Sequence, residues 1–431
     1  MTRNKQISIV VFEIVSILMI LLEATFEDNN INGWILALAG ILCLGQIAFI
    51  TWNQRSNPLL FAICFFMAYF VYSVVAKVYF EVDCMPYIFR FTSVTKKELL
   101  RDAEIVQLFF CIFAFSIKEE IKIDWHIFEK GTRCNNYIVW ICCVACVCAP
   151  FLFYSASNGY GVRGSISSPL YEYTCLFLLL GLMYSGREKC YLILLLISSG
   201  FWCLHGIIYG ERAPALTVVI IWGCYLLLPK ITSKRIFLYS IIGIIAFSLV
   251  GAFRGLSFFT FEGFQKSLSL LLDERFTSDT AYYAYQAGNA IVRFESCNSI
   301  WDRVRYGAGY LEYIFVGGSV AAGNLANIVQ KNPGTFHQGG GWIMFYAHFW
   351  GGVIGVILLG SYIVFIARHV VKLVDSNDYF KNYLALYVTA SVPRWFLYSP
   401  SQITRGIFIY ALLYGVFISI HKLTTRKISI P

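Results

Sequence analysis

The run GWILALAGILCLGQIAFITW, residues 33–52, holds twenty consecutive residues without a charge and carries Trp34 and Trp52 near its two ends. A helix of about 20 such residues is long enough to cross the hydrocarbon core of a bilayer, and tryptophan favours the two interfaces. The pattern repeats along the chain. Apolar runs fall at 7–24, 33–52, 58–80, 101–117, 135–154, 168–185, 189–208, 213–229, 236–253, 342–367, 382–398 and 404–421. They predict an all-α polytopic membrane protein of about twelve transmembrane helices.

Composition agrees. Of the 431 residues, 58% are hydrophobic and 14% charged, and the mean hydropathy is +0.65. A soluble domain has about a quarter of its residues charged. The deficit excludes a soluble enzyme, a nucleic-acid binder and a disordered regulator, although the net charge is +9. That charge belongs to topology: Arg3, Lys5, Arg55, Lys118, Lys122, Arg133, Arg187, Lys230, Arg368, Lys372, Lys422, Arg426 and Lys427 all fall on one side of the twelve-span layout. The positive-inside rule makes that side cytoplasmic and places both termini there. The outer segment 81–100 is the exception, with Arg90, Lys96 and Lys97 and with Arg101 at its border. Arg3 and Lys5 precede the first run, which lacks a small-residue cleavage site and reads as a retained helix. The cysteines fall mostly within spans and read as small apolar residues, Cys142 and Cys146 included. Cys84 and Cys297 lie in outer segments, where one disulfide is possible.

The whole chain, 1–431, reads as one integral membrane domain interrupted by a long outer loop, 254–341, between the ninth and tenth spans. Loops of that length are usually functional or internally folded. Phe261, Phe264, Leu268, Leu271 and Leu272 recur at helical spacing and predict an amphipathic helix; a second is expected over 279–295. The stretch 311–329, broken by Gly317, Gly318 and Gly323, reads as interfacial or re-entrant.

Four arginines meet the membrane on the outer side: Arg163, Arg212, Arg254 and Arg394. A guanidinium is always charged and presents a fork of donors suited to phosphate oxygens, and an ionised group at membrane depth needs a partner. A lipid pyrophosphate is such a partner, and so are lipid headgroups or a nearby acid such as Glu211 beside Arg212. Tyr282, Tyr283, Trp301 and Tyr306 offer rings with polar tips that stack on sugars, although interfacial anchoring explains them equally well. For proton transfer His337 is the best placed, followed by Glu211; Glu172, Glu262, Asp302 and His348 are further outer candidates. His205 and His348 read as buried or interfacial. Glu81 and Asp83 form the one acidic pair that suits a divalent ion, and no metal site is expected from so short a motif. Nucleotide-binding and zinc-protease motifs are missing, so no cofactor is expected.

Gly210-Glu211-Arg212-Ala213-Pro214, Phe253-Arg254-Gly255, and Gly339-Gly340-Gly341-Trp342 running into Phe349-Trp350-Gly351-Gly352 resemble segments of the bacterial O-antigen polymerase family, the Wzy-type oligosaccharide repeat-unit polymerases. The architecture is similar along most of the chain. Some members carry an acidic residue where this chain has Ala347-His348. The resemblance implies a GT-C-like helical fold in the bacterial inner membrane and polymerisation of undecaprenyl-pyrophosphate-linked glycans on the periplasmic face. It also implies inversion without a metal, and a flippase and a chain-length regulator as partners. In that reaction Arg212 and Arg254, helped by Arg163 and Arg394, hold the leaving pyrophosphate while His337 or Glu211 takes the proton. The main rival is a lipid-linked oligosaccharide flippase, against which stands the lack of two repeated halves. A membrane O-acyltransferase is a third reading, and His126 and His205 form no clear constellation for it.

Overall fold

The computed structural model describes residues 31–55, 57–80, 94–116, 133–155, 166–167, 169–208, 212–227, 261–273, 275–296, 298–316, 340–373, 378–398 and 400–426, with Leu325 and parts of 10–25 and 235–245. Besides the four-residue helix Pro169–Glu172, the helices that the described residues delimit are, in chain order, α1 (Gly33–Asn53), α2 (Pro58–Val74), α3 (Lys96–Ser116), α4 (Asn136–Phe153), α5 (Cys175–Tyr184), α6 (Lys189–Ile208), α7 (Arg212–Leu227), α8 (Phe261–Asp273), α9 (Asp279–Ser296), α10 (Ile300–Val316), α11 (Ile343–Leu373), α12 (Tyr379–Ala390), α13 (Val392–Leu397) and α14 (Ser401–Arg426). A turn of π-helix, Val75–Tyr79, extends α2.

This is a helical membrane protein. Six helices among the described residues are long and apolar enough to cross a bilayer: Gly33–Asn53, Leu59–Tyr79, Asn136–Phe153, Lys189–Ile208, Ile343–His369 and Ser401–Thr425. Shorter apolar helices cover Leu170–Tyr184 and Ala215–Leu226. All eight coincide with runs read from the sequence. Their outer faces are apolar: on α11, Val353, Ile354, Leu358 and Phe365 are 56%, 68%, 66% and 63% exposed. Contiguous apolar surface of this kind needs a nonaqueous environment.

Two expected runs come out differently. The run at 101–117 belongs to α3, which begins five residues earlier in Lys96, Lys97 and Glu98 and keeps Arg101, Asp102 and Glu104 in its first half. The run at 382–398 divides into α12 and α13 at Ser391. Pro393 has no amide hydrogen and its ring crowds the carbonyl four residues back, so one continuous helix is disfavoured there.

The chain forms two compact units. The first comprises residues 1–122, 275–369 and 392–402. Here α1, α2 and α3 pack together, and α9 lies against α2 and α3. Gly40 lets α1 approach the π-turn, since a side chain there would press on Tyr79 and Val75. Tyr72 donates to the Arg275 carbonyl at 2.9 Å, and Ser278 N–H donates to Ser73 Oγ at 2.9 Å, which ties the start of α9 to α2. Phe70 and Phe396 stack at 6.0 Å, and Trp342 meets Phe396 at 5.2 Å.

The second unit comprises residues 123–274, 370–391 and 403–431. In it α4 packs on α5 and α6, α7 on α6 and α12, and a two-residue antiparallel pair joins Tyr154–Ser155 to Ile166–Ser167. Cys142, Cys146, Cys175, Cys203 and Cys224 are buried and free. They pack as small apolar side chains, as Cys142 and Cys146 were read. Cys84 and Cys297 lie outside the described residues.

Within the segment read as a long outer loop, the described residues include the helices α8, α9 and α10. The first two match the expected helices at 261–272 and 279–295. The third ends at Val316, and most of the stretch 317–329 lies outside the described residues.

Candidate functional site: an ion-pair cluster beside a broken helix

Reciprocal caps fix two of the helices that carry the cluster. Thr95 N–H donates to Glu98 Oε2 at 2.9 Å and Glu98 N–H to Thr95 Oγ1 at 3.2 Å, starting α3. Ser299 N–H donates to Asp302 Oδ2 at 3.2 Å and Asp302 N–H to Ser299 Oγ at 3.2 Å, starting α10. Each is a capping box that satisfies two amides left over by helix geometry. Asp302, a candidate acid in the sequence, is therefore committed to the cap.

From these starts polar side chains converge along α3 and α9. Asn289 Nδ2 donates to Asp102 Oδ2 at 2.9 Å, and Asp102 is fully buried. Its other oxygen, Oδ1, meets no donor among the described residues. One turn along, Arg293 grips Glu98 with two bonds, Nε to Oε1 at 2.8 Å and Nη2 to Oε2 at 2.6 Å. The fork geometry is the strong form of such a pair. On the buried side of Asp102, Tyr79 of the π-turn hydrogen-bonds Tyr285 of α9 and donates to the Leu99 carbonyl at 3.1 Å.

Glu295 is the node. Its Oε1 accepts from Arg303 Nη1 at 2.8 Å, while its Oε2 lies 2.7 Å from His348 Nδ1 and 3.7 Å from Arg101 Nη2. Three elements, α3, α10 and α11, thus place one side chain each on a single carboxylate carried by α9. Glu295 and His348 are 12% and 13% exposed, whereas Arg101 is 41% exposed. Arg303 Nε has no acceptor among the described residues. The arrangement sets arginine side chains on two carboxylates and orients one imidazole through its Nδ1.

His348 lies just before a break. Gly351 (φ −147°, ψ 18°) and Gly352 (φ 55°, ψ −142°) interrupt α11. Only glycine adopts the backbone of Gly352 without strain. Gly355 then comes so close to the Ala347 carbonyl that a side chain would overlap it. Non-helical backbone within an apolar helix is tolerated where protein or a polar cavity satisfies it.

An aromatic bed underlies the cluster. Phe349 is buried with Ala290, Ile291, Leu325 and Tyr346, and Phe294, Tyr306 and Trp350 pack against them. Trp350 and Tyr310 rings lie 4.4 Å apart, and Trp350 Nε1 meets no acceptor among the described residues.

No family model, curated protein or solved structure matches this chain. The site therefore rests on its own geometry.

The residues chosen from sequence are dispersed in what is described. Arg163, Glu211, Arg254 and His337 lie outside the described residues, and Arg212 begins α7 with its side chain outside them. Arg394 is buried on α13, 5.2 Å above the Tyr398 ring. Gly340, at φ 77°, and Gly341 lie against Tyr398, and Gly341 N–H donates to its carbonyl at 3.2 Å. At these two positions the glycine run admits the chain's own backbone. Tyr282 is buried and meets Tyr283 at 4.9 Å, Trp301 is 78% exposed, and Tyr306 packs on Phe349 at 6.0 Å. His205 faces the Tyr171 hydroxyl at 3.4 Å, Glu172 ends the short helix Pro169–Glu172, and Glu262 is exposed on α8. Of the expected residues, Tyr306 and His348 touch the cluster. Glu98, Arg101, Arg293, Glu295 and Arg303 are additions from the fold. Among the described residues no group of three His, Cys, Asp or Glu side chains could hold a metal ion, and Glu81 and Asp83 lie outside them.

Proposed function

We propose that this protein polymerises undecaprenyl-pyrophosphate-linked oligosaccharide repeat units into O-antigen or a related surface polysaccharide, in the manner of the family its motifs resemble. The observation that carries the reading is the convergence of Arg101, Arg293 and Arg303 on Glu98 and Glu295 beside the break in α11. Arginine forks in a half-buried setting suit a pyrophosphate, and they act most strongly on the charge that develops as it leaves an anomeric carbon. Arg212, Arg254, Arg163 and Arg394 are the residues that the motifs themselves nominate for pyrophosphate. Pyrophosphate is a good leaving group that does not require a metal, and the resemblance to the polymerase family is what suggests an inverting transfer.

The proposal places about twelve spans in a GT-C-like fold in the bacterial inner membrane, with both termini cytoplasmic and the arginines facing the periplasm. A flippase supplies the lipid-linked units and a chain-length regulator governs the product. Purified protein in lipid nanodiscs, given lipid-linked repeat units from cells lacking the gene, is expected to yield a ladder of longer glycans on one lipid. Units that stay single under these conditions contradict it.

A second reading, a lipid-linked oligosaccharide flippase, gains support from one feature. Broken helices at Gly351–Gly352 are also how transporters build substrate sites. A flippase moves the same units across a bilayer without lengthening them, so the product ladder separates the two.

A further inference from the structure

Glu295 does more than pair with arginine, because it also fixes a histidine. Its Oε2 lies 2.7 Å from His348 Nδ1. A carboxylate beside Nδ1 makes that nitrogen the donor and leaves the lone pair of Nε2 available. The contact to Glu295 is made through Nδ1, at the opposite side of the ring from Nε2. A carboxylate that holds an imidazole in one tautomer and orientation is the usual support of a histidine that accepts protons.

The surroundings suit that task. The groups facing the pair are Arg101 from α3 and Arg303 from α10, with the Arg293–Glu98 pair alongside and Tyr306 beneath on α10. Arg303 keeps Nε unengaged among the described residues, and Arg101 is held at 3.7 Å only. A proton acceptor and anion-binding forks therefore share one carboxylate, and the glycine break follows His348 by three residues.

Resting on the polymerase reading, we propose that His348, oriented by Glu295, is the catalytic base for the attacking sugar hydroxyl, and that Arg101 and Arg303 hold the departing lipid pyrophosphate. The hydroxyl oxygen of the acceptor bonds to the anomeric carbon of the donor glycan, and its proton passes to His348 Nε2. The bond from that carbon to the pyrophosphate oxygen breaks, and its electron pair leaves on the lipid pyrophosphate. Glu295 balances the imidazolium until the proton passes to water.

The test uses the full-length protein in nanodiscs and lipid-linked repeat units extracted from cells lacking the gene. His348→Ala is expected to lower kcat by about 100-fold or more, to leave the KM for the lipid-linked donor within about twofold, and to regain rate when imidazole is added. Glu295→Gln, which keeps shape and hydrogen bonding, is expected to lower kcat with His348 in place. Arg303→Ala is expected to raise the donor KM. A His348→Ala rate within about threefold of the parent overturns the assignment, as does a loss that imidazole does not restore. A parent protein that lengthens no unit overturns the polymerase reading itself, and the assignment with it.

Discussion

Glu295 Oε2 lies 2.7 Å from His348 Nδ1, joining α9 to α11 across fifty-three positions of sequence. The same carboxylate takes Arg303 at 2.8 Å. Removing it leaves a half-buried guanidinium and an imidazole without their shared acceptor. Glu295→Ala is therefore expected to cost about 1–3 kcal/mol and to lower the apparent melting temperature in detergent. A melting temperature equal to the parent's contradicts a structural share for this node.

Gly352 adopts φ 55° and ψ −142°, whereas its neighbour Gly351 stays at negative φ. Gly352→Ala is expected to cost about 1–3 kcal/mol and to displace His348 from Glu295, with loss of chain growth. Gly351→Ala is expected to be the milder of the two. Thermal stability and glycan length, measured on both variants, check the contrast; equal behaviour contradicts it.

Gly288 faces the Phe345 ring, and a β-carbon there would overlap it. Gly288→Ala is expected to destabilise the protein by about 1–3 kcal/mol through overpacking between α9 and α11. A second change, Phe345→Leu, which removes the ring, is expected to recover part of that loss. Melting curves of the single and double variants decide it, and an unrelieved double variant contradicts the packing.

Arg212→Ala and Arg254→Ala are each expected to abolish chain growth while the protein accumulates at its usual level in the membrane. Immunoblots of membranes and gels of the surface glycan are the measurements. Normal chain length in both variants removes these arginines from the pyrophosphate site.

The apolar scaffold was legible in the sequence because a bilayer imposes length and exclusion of charge. The runs at 33–52, 58–80, 135–154, 189–208, 342–367 and 404–421 each appear as a long apolar helix. Helix ends were harder: α3 starts in charged residues that hydropathy skips, and Pro393 splits a run that composition leaves whole. The cluster was nearly invisible. The segment 254–341 has seven basic and seven acidic residues, a balance that looks inert until Arg293 is found on Glu98, 195 positions away. Two local signals were available. Thr95-x-x-Glu98 and Ser299-x-x-Asp302 mark helix starts, and Glu98 with Asp102, like Asn289 with Arg293, falls at the four-residue spacing of one helix face. Which faces meet depends on tertiary packing, and that no single segment specifies.

The central claim is that the protein lengthens lipid-linked glycans, and the surface glycan of cells lacking its gene tests it most directly. Electrophoresis of that glycan is expected to show single repeat units still attached to their anchor, with the longer ladder restored by the intact gene. Loss of even the single units, or a ladder that persists without the gene, contradicts the account.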